Sequence, residues 1–203
     1  MSEAARRVAS LTRPTWIMAH SQTSARGRRG RTWLAPTGNL SATLVYKPIA
    51  TPAQAAQRSF FAANALYAAL AHYVPANKLA LKWPNDVLFN NGKIAGILLE
   101  SSGSGTAIDW LSVGIGLNLS HTPDGIVDAA FAPTSLDGEV TPTDFLTTLA
   151  VCYQAQEATY AAQGFEGIRE SWLKNAARLG EVITARTAQT SITGIFDTID
   201  ADG

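Results

Sequence analysis

The stretch Lys82–Glu100, KWPNDVLFNNGKIAGILLE, decides the fold. Two apolar runs, Val87–Asn90 and Lys93–Glu100, flank the dipeptide Asn91-Gly92, which favours a two-residue type I′ turn, so the stretch predicts an antiparallel hairpin. Upstream, Leu79, Leu81 and Trp83 alternate with Lys78, Ala80 and Lys82, as in a half-buried strand. Pro84 cannot continue a central strand, which places Asn85 and Asp86 at a break where polar groups can be aimed into a cleft; the plainer reading is an ordinary Pro-Asn-Asp turn. Lys93 follows the turn and roots the run Ile94–Leu99, where a lysine is held more rigidly than on a helix surface; taken alone it is a solvated turn lysine.

Outward from the hairpin, strands are expected at Trp16–Ala19, Leu40–Tyr46 and Ala107–Leu119, the last carrying Gly114 and Gly116 where something can press against the backbone. Asn118 follows it, suited to a phosphate or to tying down a loop. Helices are expected at Ser2–Ser10, at about 52–74 behind Thr51-Pro52, from Thr141-Pro142 to Gly164, and over about 165–178. Residues 120–138, with Pro123 and Pro133, read as a functional loop with at most short helical turns. Short strand-like pieces, Val182–Arg186 and Ser191–Phe196, follow Leu179, and Asp202-Gly203 is a hairpin signal without a return strand.

The chain has 203 residues, 46% hydrophobic and 16% charged, which suits one domain with a small appendage and excludes intrinsic disorder. No apolar run approaches the roughly 20 residues of a membrane span, and one cysteine, Cys152, cannot make an internal disulfide, so a cytoplasmic protein is expected. Net charge is zero, yet residues 1–31 hold seven arginines against one acid, a local balance of +6. Within this segment Thr23–Gly30 cannot be regular structure, and Arg26-Gly27-Arg28-Arg29-Gly30-Arg31 puts four guanidinium groups on a flexible backbone suited to phosphate or carboxylate oxygens. An exposed basic loop or a nucleic-acid-binding arm is the other reading.

Several chemistries are excluded. Neither the P-loop nor the dinucleotide fingerprint is present, no Gly-x-Ser-x-Gly elbow occurs, and His20, His72, His121 and Cys152 offer no structural metal site. Cys152 falls on the apolar face of a predicted helix, as a structural thiol does.

Taken in order, Gln22-Thr23-x-x-Arg26-Gly27-Arg28-Arg29-Gly30-Arg31-x-Trp33, Gly38-Asn39-Leu40, Lys82-Trp83-Pro84-Asn85-Asp86, Lys93-x-x-Gly96-Ile97-Leu98 and Gly114-Ile115-Gly116-Leu117-Asn118 resemble the biotin protein ligases across residues 2–178. The resemblance implies an α+β fold: a mixed β-sheet backed by helices, like the catalytic core of class II aminoacyl-tRNA synthetases, over residues 1–178. Residues 179–203 would then be the start of an incomplete SH3-like C-terminal barrel.

The resemblance also implies a reaction, in which biotin attacks the α-phosphate of MgATP to give biotinyl-5′-AMP. A lysine of a biotin carboxyl carrier protein, as in acetyl-CoA carboxylase, then takes the biotinyl group. On this view Lys93, Arg26 and Arg28 are catalytic, Arg26, Arg28 and Arg31 neutralise phosphate charge, and Gln22, Gly27 and Gly96 line the biotin site. Trp33 would pack beside the adenylate, while Asn85, Asp86 and Asn118 serve the ATP phosphates and Mg²⁺. A homodimer is compatible with the family, and no membrane or DNA partner is implied. A lipoate ligase or octanoyltransferase of the same fold is the rival enzyme, against which the arginine loop and Lys82–Asp86 argue.

Three departures stand out. The Ser-Thr segment that the family places before the helix at Ser2 is missing, and the C-terminal barrel is short. Ala25 stands where the family usually has Gly, which costs about 1 kcal/mol if the position needs positive φ.

Overall fold

The computed structural model describes residues 2–123, 131–138, 140–186 and 190–203. Six strands form one sheet in the order β1-β2-β6-β5-β4-β3, comprising β1 (Thr15–Met18), β2 (Leu40–Tyr46), β3 (Leu79–Lys82), β4 (Asp86–Phe89), β5 (Gly92–Ser102) and β6 (Trp110–Leu117). Every pairing of these strands is antiparallel, and the parallel component is confined to two isolated bridges, Leu81 with Ala176 and Lys93 with Pro133.

Strand periodicity of two sorts the residues between faces. Leu44, Val113 and Leu99 share one row, as do Ala42, Ile115 and Ile97, and this face turns toward the helices. The opposite face carries Ser41, Gly116 and Gly96 in register across three strands, a row almost without side chains.

The helices cover the apolar face. After the short α1 (Ser2–Arg7), α2 (Pro52–Ala56) starts with Thr51 in a complete capping box with Gln54, and α3 (Arg58–Leu70) follows after a break at Gln57. Gln57 itself keeps helical dihedrals (φ −57°, ψ −24°), so the helix expected over 52–74 is two segments joined through Gln57, and it ends at Leu70. In α4 (Pro142–Lys174) the backbone leaves helical geometry at Gly164 (φ 66°, ψ −164°), where the sequence placed a boundary. Its second half stops at Lys174, four residues before the expected end, because Asn175 and Ala177 bond across to Leu81 of β3. Phe60, Phe61, Leu66 and Leu70 of α3 interdigitate with Phe145, Leu149, Ile168 and Trp172 of α4 to form the core against the sheet.

The central hairpin forms one residue earlier than its sequence signal. Asn90 (φ 49°) and Asn91 (φ 62°) occupy the turn and Phe89 pairs with Gly92, so Gly92 belongs to β5 rather than to the turn. The reason is tertiary: a Cβ on Gly92 would lie 2.9 Å from the Thr134 Cβ and 3.0 Å from the Ala132 carbonyl oxygen. Asparagine tolerates the left-handed region well enough to take both turn positions.

A second sheet, β7 (Val182–Arg186) with β8 (Ser191–Ile195), realises the two C-terminal strand-like pieces. Beyond it Phe196 and Ile199 join the main core, Phe196 against Trp172 with ring centroids 6.3 Å apart. Of the functional loop expected over 120–138, residues 124–130 lie outside the described residues, and 131–138 contain no helix.

Candidate active site

The glycine-bearing face of the sheet is the floor of a cavity of about 590 Å³. The indole of Trp33 lies directly on that floor. A Cβ on Gly116 would stand 2.5 Å from Trp33 Cε2 and Nε1, and one on Gly96 would stand 3.2 Å from Cζ3. The paired glycines exist so that an aromatic ring can approach the backbone.

The arginine segment forms one wall. It is a small hairpin, with Gly27 N–H donating to the Arg31 carbonyl (2.7 Å), Trp33 N–H to the Ala25 carbonyl (3.2 Å), and a bridge between Arg26 and Thr32. A 3₁₀ turn at Arg28–Gly30 reverses the chain, with Arg29 and Gly30 at positive φ. Ala25 is not among the positive-φ residues, so Ala in place of Gly brings no strain there. Arg28 donates from Nη1 to Asn85 Oδ1 at 3.3 Å. Burial, and then the charge of Arg29, push the Arg28 pKa down, while Asp86 draws it up.

β4 and β5 supply the opposing wall. Pro84 ends β3, and Asn85 and Asp86 face the cavity as the strand break predicts. Asn85 is held by its amide, which donates to the Ile97 carbonyl at 2.6 Å. Asp86 Oδ1 lies 2.6 Å from Lys93 Nζ, its Oδ2 lies 3.3 Å from Lys82 Nζ, and the carboxylate is only 12% exposed. Lys93 also sits 5.5 Å from the Trp33 ring centroid, within cation–π range. One buried carboxylate between two lysines fixes the ammonium of Lys93 in place while the cavity keeps net positive charge, the arrangement needed to receive anions.

Of the residues singled out from sequence, Arg26, Gly27, Arg28, Arg31, Trp33, Asn85, Asp86, Lys93, Gly96 and Asn118 all line this one cavity. Gln22 does not. It borders a separate gap of about 60 Å³ that shares Arg26 and Leu98 with the larger space. Asn118 is fully buried, its amide donating to the Thr134 carbonyl (3.0 Å) and its Oδ1 accepting from Asn39 (3.4 Å), so of its two sequence readings this geometry has the loop tie. Sequence reasoning gave no role to Lys82, Phe131 or Arg178, which also line the cavity. Lys82 stands inside the Lys82–Asp86 stretch, whereas Arg178, in the turn beyond α4, carries no local signal. Cys152 lies away from the cavity against the core, and burial raises its thiol pKa. Among the described residues no three His, Cys, Asp or Glu side chains gather as a metal site, and no helix is long and apolar enough to cross a membrane.

An α+β domain whose cavity gathers fixed cations about Asp86, the one carboxylate lining it among the described residues, is of the class that binds anionic substrates. Sequence relationships make the class specific. The profile of the Biotin/lipoate A/B protein ligase family matches residues 2–118, and the chain belongs to that family. It is 48% identical to the biotin–[acetyl-CoA-carboxylase] ligase of Paracoccus denitrificans, over all of this chain and 87% of that protein. It is 28% identical to the bifunctional ligase/repressor BirA of Bacillus subtilis, over 93% of this chain but 60% of that longer protein. Among solved structures, the biotin protein ligase of Aquifex aeolicus in complex with biotin and ATP superposes with a TM-score of 0.75 at 26% identity, covering 91% of this chain and 78% of that one.

Proposed function

We propose that this protein is an ATP-dependent biotin ligase, which activates biotin as biotinyl-5′-AMP and passes the biotinyl group to a lysine of the biotin carboxyl carrier protein of acetyl-CoA carboxylase. The observation that carries this reading is the pinned Lys93 beside the Gly96–Gly116 floor, facing the arginine hairpin across a single cavity.

In the first step a biotin carboxylate oxygen bonds to the α-phosphorus of ATP and the bond to the bridging oxygen breaks, releasing pyrophosphate. Both reactants are anions, so their mutual repulsion dominates the barrier. On this reading Lys93 bridges the carboxylate and the α-phosphate, and Arg26, Arg28 and Arg31, which line the cavity with it, supply charge to the phosphates. On the same reading Gly27 and Gly96 bound the biotin end and Trp33 offers its ring to the adenylate, while Gln22, in the adjoining gap, would serve biotin only across the Arg26–Leu98 border that the two spaces share. Asn85 and Asp86 serve the triphosphate, with Asn118 supporting them through the loop it holds. Magnesium would enter with the triphosphate as part of the substrate; Asp86, whose two oxygens pair with Lys93 and Lys82, would have to release one of these lysines to reach it. In the second step the carrier lysine amine attacks the acyl carbonyl and AMP leaves. No enzyme nucleophile is required, in accord with the distance of Cys152 from the cavity.

The test is to incubate the chain with biotin and MgATP and analyse the products by mass for biotinyl-5′-AMP and pyrophosphate, then add carrier domain. Adenylate followed by carrier biotinylation is expected; absence of adenylate from a folded chain overturns the assignment.

A further inference from the structure

Asn39, at the start of β2, is 5% exposed and uses both ends of its side chain. Oδ1 accepts from the backbone N–H groups of Ser120 and His121, each at 3.0 Å. Nδ2 donates to the His121 carbonyl (2.8 Å) and to Asn118 Oδ1 (3.4 Å). From Asn118 the connection runs on to the Thr134 carbonyl at 3.0 Å. The Thr134 N–H donates to the Lys93 carbonyl (2.9 Å), and the Lys93 N–H donates to the Ala132 carbonyl (2.7 Å), so the backbone around Pro133 lies against β5 as a short parallel bridge. Gly92 makes this approach feasible, since any side chain there would strike Thr134.

Lys93 is the second residue of β5, paired with Leu88 of β4 on one side next to an irregularity in the register between Val87 and Leu88, and residues 132–134 hold its other side. Its backbone is therefore clamped by residues 132–134, and those residues are clamped through Asn118 by Asn39. Neither Asn39 nor Thr134 lines the cavity. We infer that Asn39 is a positioning residue for the adenylation step, fixing Lys93 through Asn118 and the 132–134 segment. For its kinetic consequence this inference rests on the function proposed above.

Asn39→Asp keeps the oxygen that accepts from Ser120 and His121 and removes the donor to both the His121 carbonyl and Asn118, so it cuts the relay at its Asn39 end with little change in side-chain volume. Native-state hydrogen exchange on the ligand-free chain should show faster exchange of the Lys93 and Thr134 amides, with the amides pairing β2 to β6 unchanged. Biotinyl-5′-AMP formation should fall about tenfold in kcat, the scale of a hydrogen-bond pair lost from a preorganised site, with KM for biotin within twofold of wild type. Thr134→Pro, which deletes the Thr134 N–H donated to Lys93, leaves the Lys93 amide as the exchange readout and should show the same speeding there with the same fall in kcat, which tests the 132–134 link; Asn39→Ala replaces Asn39→Asp if the aspartate variant does not fold. Unaltered exchange at Lys93, or a loss appearing only in KM for biotin, overturns the inference. A wild-type chain that makes no adenylate overturns the proposed function instead, and the exchange result still decides the relay.

Discussion

Lys93 is the group on which the proposed chemistry leans hardest, and its surroundings allow a clean test. Its partner Asp86 keeps Lys82 at 3.3 Å when Lys93 is truncated, so Lys93→Ala leaves no buried carboxylate alone. The variant should fold normally and lose at least ~2.7 kcal/mol of transition-state stabilisation, on the order of a hundredfold in adenylate formation, as when one preorganised charge donor is removed. Single-turnover formation of biotinyl-5′-AMP measures this directly. The floor gives a second test. Gly116→Ala sets a methyl group 2.5 Å from the Trp33 ring, and only the ring can yield, because Gly116 is paired on both sides within the sheet. Its expected effect is a changed Trp33 emission against a Trp33→Phe control, with adenylation slowed roughly tenfold to a hundredfold, the scale of an ångström-sized misplacement. Unchanged emission and rate would show that the ring does not need that floor. At this scale much was legible in the sequence, chiefly through the family resemblance: ten of the residues singled out there line one cavity, whereas local constraints such as Pro84 ending a strand point to only a few of them. Asn39 and the shifted turn were not legible, since both depend on residues 132–134 approaching from forty or more positions away.

Among elements, the join between β2, α3 and α4 carries the buried polar chemistry. Arg58 of α3 donates to both carboxylate oxygens of Glu157 on α4 and stacks between Phe61 and Tyr160, while Tyr46 of β2 donates to Glu157 at 3.2 Å. Burial first, and then the Glu157 charge, push the Tyr46 pKa up to about 12. The unfolded phenol titrates near 10. Neutral Tyr46 thus contributes in full below pH 10, and the contribution is lost as pH rises through 10 toward 12, where the unfolded chain gives up its proton first. The loss is on the order of 2 to 3 kcal/mol. Urea unfolding at pH 9 and pH 11 should show wild type losing more stability than Tyr46→Phe; equal losses would contradict the assignment. Tyr153, also raised, leaves part of the slope in the variant. Gly164 marks the other critical point in α4. Its φ of 66° with ψ of −164° is a conformation that side-chain-bearing residues rarely adopt, although nothing lies within 4 Å of where a Cβ would stand. Gly164→Ala should therefore cost about 1 to 3 kcal/mol through backbone strain alone, read as a shifted denaturation midpoint. This boundary was visible from sequence because a glycine announces it, whereas the break at Gln57 has no such residue to signal it.

For the molecule as a whole, the question is whether the C-terminal hairpin stands apart from the catalytic sheet. From sequence, residues 179–203 read as a separate piece. A two-stranded sheet is marginal alone, and every β8 residue is exposed. The segment after β8 is anchored instead: Phe196 packs on Trp172, Ile199 is 4% exposed, and Arg169 of α4 donates to the Ile199 carbonyl at 2.8 Å. The backbone is tied as well, with Gly180 N–H donating to the Phe196 carbonyl and Phe196 N–H to the Glu181 carbonyl, both at 2.8 Å. Phe196 also lines the cavity with Ile183, Thr184 and Ala185, so the hairpin contributes part of the wall of the same site. We therefore expect the whole chain to unfold in one cooperative step. Phe196→Ala should remove about 3 kcal/mol, by the usual cost of emptying a buried aromatic site, and lower Tm by roughly 8 °C for a chain of this size. It should also weaken ATP binding, because the wall it supports is lost. Thermal melts followed by far-UV circular dichroism and by tryptophan fluorescence should coincide in wild type and shift together in the variant. A hairpin transition that separates from the main one, with ATP affinity intact, would mean that this segment is a passenger on the site.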